Sequence, residues 1–420
     1  MTWSGVYRWL RVVSVVAAAA LLCGAQGKAV PAPRWVGTWA CSPQLVEPRN
    51  RPPAPGLSGN TLRQVVHLTI GGDELRFKFS NEFGLTPLTL TAVHIALPGA
   101  LPGAPGAILA GSDRALSFDG SPAVTIPAGA FMLSDPIRFK AAPFSDLVVT
   151  FQADRVPDGI TGHPGSRETS YLAVGNEVSQ AVLTNPVTTD HWYVLDGIAV
   201  EAAEASEAPP AAAIIALGDS ITDGRGSVTN GNTRWTDYLA RDLAAHPQDA
   251  GISVLNQGLG GNNVYRPGGL GPTAMSRYDR DVIAQPGVRW VIVFEGVNDI
   301  GTSRRDTAGV GTVAGGIIRA LQQFIVRAHT RGLLIYGATI TPFGGSFYDT
   351  PQTEAARDQV NAWIRTSGQF DAVIDFDQVV RDPNHPGRLA PAFDSGDHLH
   401  PNSKGYQTMA AAIDLTLFAR

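Results

Sequence analysis

Four polar segments in the second half of the chain carry the residue types that nucleophilic catalysis by serine requires. They are "ALGDSITDG" (216–224), "NQGLGGNN" (256–263), "GVND" (296–299) and "DHLHP" (397–401). The first three end or follow apolar stretches typical of buried strands, and the fourth precedes the last helical pattern. Acyl transfer by serine needs a nucleophile, a base, a group that orients the base, and donors for the oxyanion. Together the four segments contain all of these groups.

The segments provide one candidate for each role. Ser220 is the candidate nucleophile, and His400 is the candidate base, with Asp397 placed to hold its imidazole ring. The oxyanion donors would be the backbone N–H groups of Ser220 and Gly261 and the side-chain amide of Asn298.

Taken singly, each of these residues has an ordinary structural explanation. Serine is common in turns, and Asn298 could cap a helix. Gly260 is an alternative to Gly261, because "GLGG" permits a shift of one position. A second Asp-x-x-His spacing, Asp382–His385, lies among prolines and is interpreted as turn chemistry, with His398 as a neighbour of the site. The presence of all four segments in this order favours a catalytic site.

Composition indicates a globular protein without a nucleic-acid partner. The 420 residues are 44% hydrophobic and 16% charged, and they include 46 glycines and 30 prolines, which is typical of a folded chain with many turns. This length predicts two domains. The formal net charge is −5, whereas binding to nucleic acid requires a basic face.

Residues 1–27 have the pattern of a secretory signal peptide. Arg8 and Arg11 precede an apolar run that is too short to span a bilayer stably, so we expect export to the periplasm or medium without a membrane anchor. Removing two arginines and no acidic residue would change the net charge from −5 to −7. Cys41 would then be the sole cysteine, which excludes an internal disulfide, and the lack of a Cys/His cluster argues against a structural metal site.

The chain changes character near residue 205. Residues 34–201 contain short β-rich segments separated by Gly, Pro and Asp turns, which predicts an all-β sandwich or jelly-roll-like domain. Residues 202–212 are interpreted as a linker. Residues 213–420 alternate apolar strand patterns with amphipathic helix patterns, which predicts a parallel sheet covered by helices on both faces. Function in such a sheet collects at the carboxyl ends of the strands.

The four polar segments resemble the signature blocks of the GDSL or SGNH hydrolase superfamily, over roughly residues 212–420. The resemblance implies an α/β flavodoxin-like three-layer sandwich and a hydrolase of esters or thioesters that needs no cofactor. It places the nucleophile on Ser220, the oxyanion donors on Gly261 and Asn298, and the Asp–His pair on Asp397 and His400. "LGDSIT" lacks the G-x-S-x-G elbow of the α/β-hydrolases. The superfamily includes lipases, thioesterases, arylesterases and polysaccharide deacetylases, so the substrate stays open.

The N-terminal half narrows the expected substrate. "RWVGTWACSPQ" (34–44), followed by a β-rich domain and then the hydrolase, resembles secreted bacterial members that are xylan-esterase-like. We therefore expect a secreted serine esterase, first of all a carbohydrate deacetylase of the acetylxylan type. The alternatives are a general esterase or lipase for acyl lipids or aryl esters, and a non-catalytic carbohydrate-binding protein. The β-rich domain either binds carbohydrate or forms a wall of the active site. The loop His163–Tyr171 either lines a sugar site or is a surface loop.

Overall fold

The first half of the chain folds into antiparallel sheets, in whose strands buried residues alternate with partly exposed ones. The computed structural model describes residues 35–202, 211–303 and 307–419. In β4 (Gly72–Ser80), Leu75, Phe77 and Phe79 are fully buried, whereas the residues between them are partly exposed, which is the two-residue period of a half-buried strand. The other strands of this region are β1 (Trp35–Ala40), β2 (Gln44–Leu45), β3 (Asn60–His67), β5 (Leu88–Ala96), β6 (Arg114–Ala115), β7 (Val124–Ile126), β8 (Phe131–Leu133), β9 (Ile137–Ala141), β10 (Asp146–Arg155), β11 (Thr161–Pro164), β12 (Ser170–Ala173), β13 (Val187–Thr189), β14 (His191–Tyr193) and β15 (Leu195–Glu201).

These strands form three antiparallel sheets. One has the order β1-β15-β4-β8, with β9 also paired to β4, and a second has the order β13-β12-β3-β10-β5-β6, with β7 paired to β5. The third is β14-β11-β2. The β10–β5 pairing runs from Val148 opposite Ala96 to Arg155 opposite Thr89. The prediction of an all-β N-terminal region is confirmed.

The second half of the chain contains a parallel sheet. Its strands, in the order β17-β16-β18-β19-β20, are β17 (Ile252–Gly258), β16 (Ala212–Gly218), β18 (Val288–Phe294), β19 (Leu334–Ala338) and β20 (Ala372–Ile374). Every neighbouring pair is parallel. Every residue of β16 is buried, which explains its continuous apolar sequence.

Alternate residues of β16 belong to two different apolar clusters, and each cluster includes buried residues of helices. Ile215 and Leu217 of β16 belong to one apolar cluster, and Ile214 and Ala216 belong to another. The helices are α1 (Ser220–Asp223), α2 (Trp235–Ala244), α3 (Ala274–Tyr278), α4 (Val297–Gly301), α5 (Thr307–Thr330), α6 (Pro351–Thr366), α7 (Phe376–Val380) and α8 (Ser403–Ala411). Buried residues of α5 and α6 belong to the first cluster, and those of α2 and α8 belong to the second.

Two elements near the C-terminus are shorter than their apolar patterns predict. The apolar segment "FDAVIDFD" (370–377) predicts a strand over its whole length, but β20 covers only Ala372–Ile374, because Asp375 caps the start of α7 by accepting the Gln378 N–H at 3.2 Å. The segment 402–419 predicts a single closing helix, but it divides into α8 and a 3₁₀ turn, Leu415–Phe418, which Asp414 caps. Residues 1–27 of the predicted signal peptide and 203–210 of the predicted linker lie outside the described residues.

Residues 35–202, called the β region below, share one apolar core with the parallel sheet. From Trp35 onward the chain forms a single compact unit, and one apolar cluster includes Val36, Phe77 and Ile215. Gly37 permits the close approach, because a Cβ at this position would lie 2.6 Å from the Leu255 side chain. The Gly37 N–H also donates to the backbone oxygen of Pro286 at 2.9 Å.

We predict that residues 211–420 do not fold stably without residues 35–202, because deleting the β region would expose the shared core to water. The melting temperature of the fragment should fall by at least about 10 °C relative to residues 35–420, since each kcal/mol shifts it by about 2–4 °C in a domain of this size. Circular dichroism during heating measures the effect. A fragment that unfolds cooperatively at the melting temperature of the longer chain would contradict the prediction.

Candidate active site

Ser220 lies where β16, an interior strand of the parallel sheet, meets a single turn of helix. β16 ends at Gly218, and the Asp219 side chain then caps α1 by accepting a backbone N–H. Gly218 is required here, because a Cβ would lie 2.0 Å from the Thr222 hydroxyl oxygen. Gly224, with φ of 97°, ends the turn in the left-handed region. These residues fix the serine at the carboxyl end of β16.

Ser220, His400 and Asp397 form a continuous hydrogen-bonded chain. The Oγ of Ser220 is 2.8 Å from Nε2 of His400, and Nδ1 of His400 is 2.7 Å from Oδ2 of Asp397. Because an ionised carboxylate can only accept, Nδ1 donates to it, and Nε2 is then free to accept the serine hydroxyl. Ser220 and His400, which lie 180 residues apart in the sequence, therefore meet in hydrogen-bonding order with Asp397.

The turn that carries Asp397 keeps this carboxyl group ionised. Its Oδ1 accepts the backbone N–H groups of Leu399 and His400, at 3.0 and 2.9 Å. Partial burial raises the pKa of Asp397, but the bonds from the His400 ring and backbone outweigh it, and the pKa lies well below its usual range. His398 is a neighbour of this turn, with its Nδ1 2.5 Å from Oδ2 of Asp394.

Gly261 and Asn298 line the same cleft as Ser220, and so does Gly260. The φ of Gly261 is 71°, a conformation that favours glycine. Asn298 lies on α4, just after β18, and its Nδ2 donates to the backbone oxygen of Asn262 at 2.8 Å. An amide nitrogen carries two hydrogens, so the second is available to a ligand in the cleft.

The cleft has a volume of about 480 Å³, and the β region forms part of its wall. Its lining residues from the β region are Gln44, Glu47, Arg49, Asn50, Pro164, Gly165, Arg167 and His191. The loop that the sequence places at 163–171 thus contributes three residues to the cleft. His163 is 3% exposed and does not line the cleft, and Tyr171 lies against Gly106.

His163 connects the β region to the helix that carries Ser220. Its Nε2 is 2.8 Å from Oδ1 of Asp223, the last residue of α1, and its Nδ1 is 2.9 Å from the backbone oxygen of Ser42. Arg234 adds a second connection, because it donates to the backbone oxygens of Asp223 and Ser166. The turn that presents the serine is therefore held from both halves of the chain.

The residues that form this site also belong to a known family pattern. Residues 216–408 match the model of the GDSL-like Lipase/Acylhydrolase family. This part of the chain is a GDSL-like acylhydrolase domain. The matched range includes all five of the residues that the sequence predicts for catalysis.

Individual relatives are similar over part of the chain. An acetylxylan esterase of Geobacillus stearothermophilus is 34% identical over 94 residues, which are 21% of this chain and 39% of that protein. The solved structure of a catalytic mutant of an acetylxylan esterase from the same organism has 21% identity and a TM-score of 0.36, covering 48% of this chain and 91% of the other. A carbohydrate acetylesterase from Sinorhizobium meliloti has 15% identity and a TM-score of 0.38, covering 50% and 99%.

Asp299 positions the glycine-rich loop of the GDSL-like domain. Its carboxylate accepts the N–H groups of Val264, Tyr265 and Arg266, at 2.6, 3.4 and 3.3 Å. Burial raises the pKa of Asp299, and the three backbone bonds act in the opposite direction. The loop that presents Gly261 is thereby tied to α4, which carries Asn298.

Tyr348 orients the Asn298 amide, and no sequence motif indicates this role. Its hydroxyl donates to Oδ1 of Asn298 at 3.0 Å. The Tyr348 ring lies over Gly301, where a Cβ would be 2.2 Å from the ring. With the amide oxygen engaged by Tyr348 and one hydrogen by Asn262, the orientation of the Asn298 amide is defined.

Arg277 lies fully buried beneath the site and joins the ends of two strands. It donates to the backbone oxygens of Gly218 and Gln257 at 2.9 and 2.8 Å. It also forms ion pairs with Asp281 at 3.0 Å and Glu295 at 3.2 Å. Burial raises the pKa of Glu295 well above its usual value, although Arg277 opposes this shift.

We predict that Arg277→Met lowers the free energy of unfolding by about 3–5 kcal/mol, because it leaves buried carboxylates and two strand-end carbonyls without their donor. Urea unfolding at neutral pH measures the change. The exposed Arg388 provides a matched control, and Arg388→Met should change stability by less than about 0.5 kcal/mol. Equal stability of the two variants would contradict a structural role for Arg277.

Proposed function

We propose that the protein is an exported carboxylic ester hydrolase that removes acetyl groups from carbohydrate by a Ser-His-Asp mechanism. The observation that carries this proposal is the unbroken chain from Ser220 through His400 to Asp397, at 2.8 and 2.7 Å. The family of residues 216–408 supports hydrolysis of an acyl group. The order of the parallel strands is one of the common doubly wound orders and supports the flavodoxin-like three-layer arrangement.

In this mechanism, His400 takes the proton of Ser220 while the hydroxyl attacks the ester carbonyl. Asp397 holds the ring in the required tautomer and stabilises the imidazolium. The tetrahedral oxyanion binds to the N–H groups of Ser220 and Gly261 and to the free amide hydrogen of Asn298. His400 then donates its proton to the leaving alcohol, and water releases the acyl group by the same steps in reverse order.

Polar groups in the cleft support a carbohydrate substrate. The side chains of Gln44 and Asn50 line the cleft, and so does His191. Nδ1 of His191 accepts the Gly165 N–H at 2.8 Å, so the neutral ring has its proton on Nε2, which can donate to a hydroxyl group. Burial lowers the pKa of His191, which keeps the ring neutral. The similarity to an acetylxylan esterase supports an acetyl ester as the substrate.

Export is proposed from the sequence alone, because residues 1–27 have the pattern of a signal peptide.

A general esterase for acyl lipids or aryl esters is the second candidate. Phe347 and Leu270 line the cleft and are 67% and 37% exposed. An apolar acyl chain or aryl alcohol could pack on them. A comparison of 4-nitrophenyl esters from acetyl to long chains, together with acetate release from acetylated xylan, separates the two candidates. Preference for long chains without release of acetate from xylan would favour the second.

We predict that Ser220→Ala and His400→Ala each lower kcat by at least about 1,000-fold, because each removes a reacting group of the mechanism. Hydrolysis of 4-nitrophenyl acetate and acetate release from acetylated xylan measure the loss. His385→Ala is the matched control, because His385 has the same spacing from an aspartate, lies on an exposed turn and should be dispensable. Activity that survives Ser220→Ala would contradict the proposed mechanism.

We predict that Tyr348→Phe lowers kcat about tenfold with little change in KM, because the loss of one hydrogen bond leaves the Asn298 amide free to turn. Asn298→Ala, which removes an oxyanion donor, should lower kcat about 100- to 1,000-fold. Tyr238→Phe, on α2 and outside the cleft, is the control. The orienting role would be wrong if Tyr348→Phe had the kcat of the unaltered protein.

A further inference from the structure

Three arginines surround the cleft of a chain whose net charge is negative. Arg49 lies on the 3₁₀ turn Pro48–Asn50, Arg167 lies between β11 and β12, and Arg225 follows α1. They come from both halves of the chain, yet all three line the same cleft as Ser220. The whole chain has a formal net charge of −5, so this group of cations is a local feature.

The acidic residues that line this cleft already have partners. Glu47 accepts from the side-chain amides of Gln44 and Asn50, at 2.6 and 2.9 Å. The other two are Asp397, which contacts His400, and Asp223, which contacts His163. None of the three therefore depends on an arginine as its principal partner.

The arginines contact these acids only at long range. Nη2 of Arg167 is 3.5 Å from Oδ2 of Asp223, and Nε of Arg225 is 4.0 Å from Oδ2 of Asp397. Charge-assisted hydrogen bonds between such groups are about 2.7–2.9 Å long. These guanidinium groups therefore keep most of their capacity to bind an anion in the cleft.

Arg167 is the most strongly positioned of the three. Its side chain is 22% exposed, its Nε is buried without a hydrogen-bond partner among the residues that the structure describes, and its backbone has a φ of 57° in the turn. The Arg167 backbone oxygen accepts the Asn230 N–H at 2.9 Å, which ties this turn to the GDSL-like domain. A planar guanidinium presents paired N–H groups that match the two oxygens of a carboxylate.

We propose that the cleft recognises an acetyl ester on an anionic carbohydrate, in which a uronate carboxylate binds the arginines while the acetyl group lies at Ser220. The inference rests on the proposed esterase function and defines its substrate class. Arg167 would bind the carboxylate, and Arg225 and Arg49, which are exposed, would attract the charged chain. A neutral acetylated sugar lacks this interaction and should bind more weakly.

Two matched substrates test the proposal: the monoacetylated methyl glycosides of glucuronic acid and glucose, which differ only in a carboxylate or a hydroxymethyl group. We measure acetate release at about 20 mM and about 500 mM NaCl, since the higher ionic strength screens exposed charges. The uronide should have at least a tenfold higher kcat/KM at low salt, chiefly through KM, because only the uronide forms a charge-assisted hydrogen bond with the arginines. The ratio should shrink at high salt.

Substitution of the arginines then locates the effect. In Arg167→Gln and Arg225→Gln, the ratio of kcat/KM for uronide to glucoside should fall toward one. Arg225 is 61% exposed, so this second variant tests recognition without disturbing a buried contact. Arg138→Gln is the matched control, because Arg138 is exposed on β9 and does not line the cleft.

The outcomes separate the substrate inference from the proposed function. Equal kcat/KM for the two glycosides, or a uronide preference that both Arg167→Gln and Arg225→Gln retain, would overturn the inference. If the protein hydrolyses 4-nitrophenyl acetate in these cases, the proposed esterase function stands. Loss of all hydrolysis, including that of 4-nitrophenyl acetate by the unaltered protein, would overturn both.

Discussion

The buried guanidinium of Arg277 is the interaction on which the rest of the site depends. Backbone carbonyls at the carboxyl ends of parallel strands need donors once they are buried, and Arg277 supplies them to Gly218 and Gln257. These two residues precede the turn of Ser220 and the glycine-rich loop. The guanidinium also pairs with Asp281 and Glu295, so a single side chain contacts the ends of β16 and β17 and the residue that follows β18.

The same network explains why the β region is part of the site. The Ser42 hydroxyl, from the segment after β1, donates to Asp281 at 2.5 Å and thereby completes the charge pair beneath the parallel sheet. His163 then supports the serine turn from the other side through Asp223. Because the two regions also share an apolar core, the cleft wall that the β region forms packs directly on the region that carries Ser220.

Burial divides the carboxyl groups around Ser220 into two groups. Burial raises the pKa of Asp219 to about 7 and that of Glu295 well above its usual value, with Arg277 opposing both shifts. Asp397 is partly exposed and accepts backbone bonds, so its pKa is lowered. The carboxylate that contacts His400 is therefore ionised over the physiological pH range, whereas burial disfavours the charged forms of Asp219 and Glu295.

The sequence by itself determined which residues could do chemistry and the kinds of sheet that carry them. Strand patterns and turn residues act over a few positions, so Ser220, Gly261, Asn298 and the 397–400 turn could be proposed as site residues from the order of their four segments. One strand end and one helix end near the C-terminus were predicted too far, because Asp375 and Asp414 cap new helical turns within the apolar patterns. Only the tertiary structure decided which distant side chains support the site, because such contacts follow from the packing of the two regions and leave no local pattern in the sequence. Tyr348, His163 and Arg277 are of this kind.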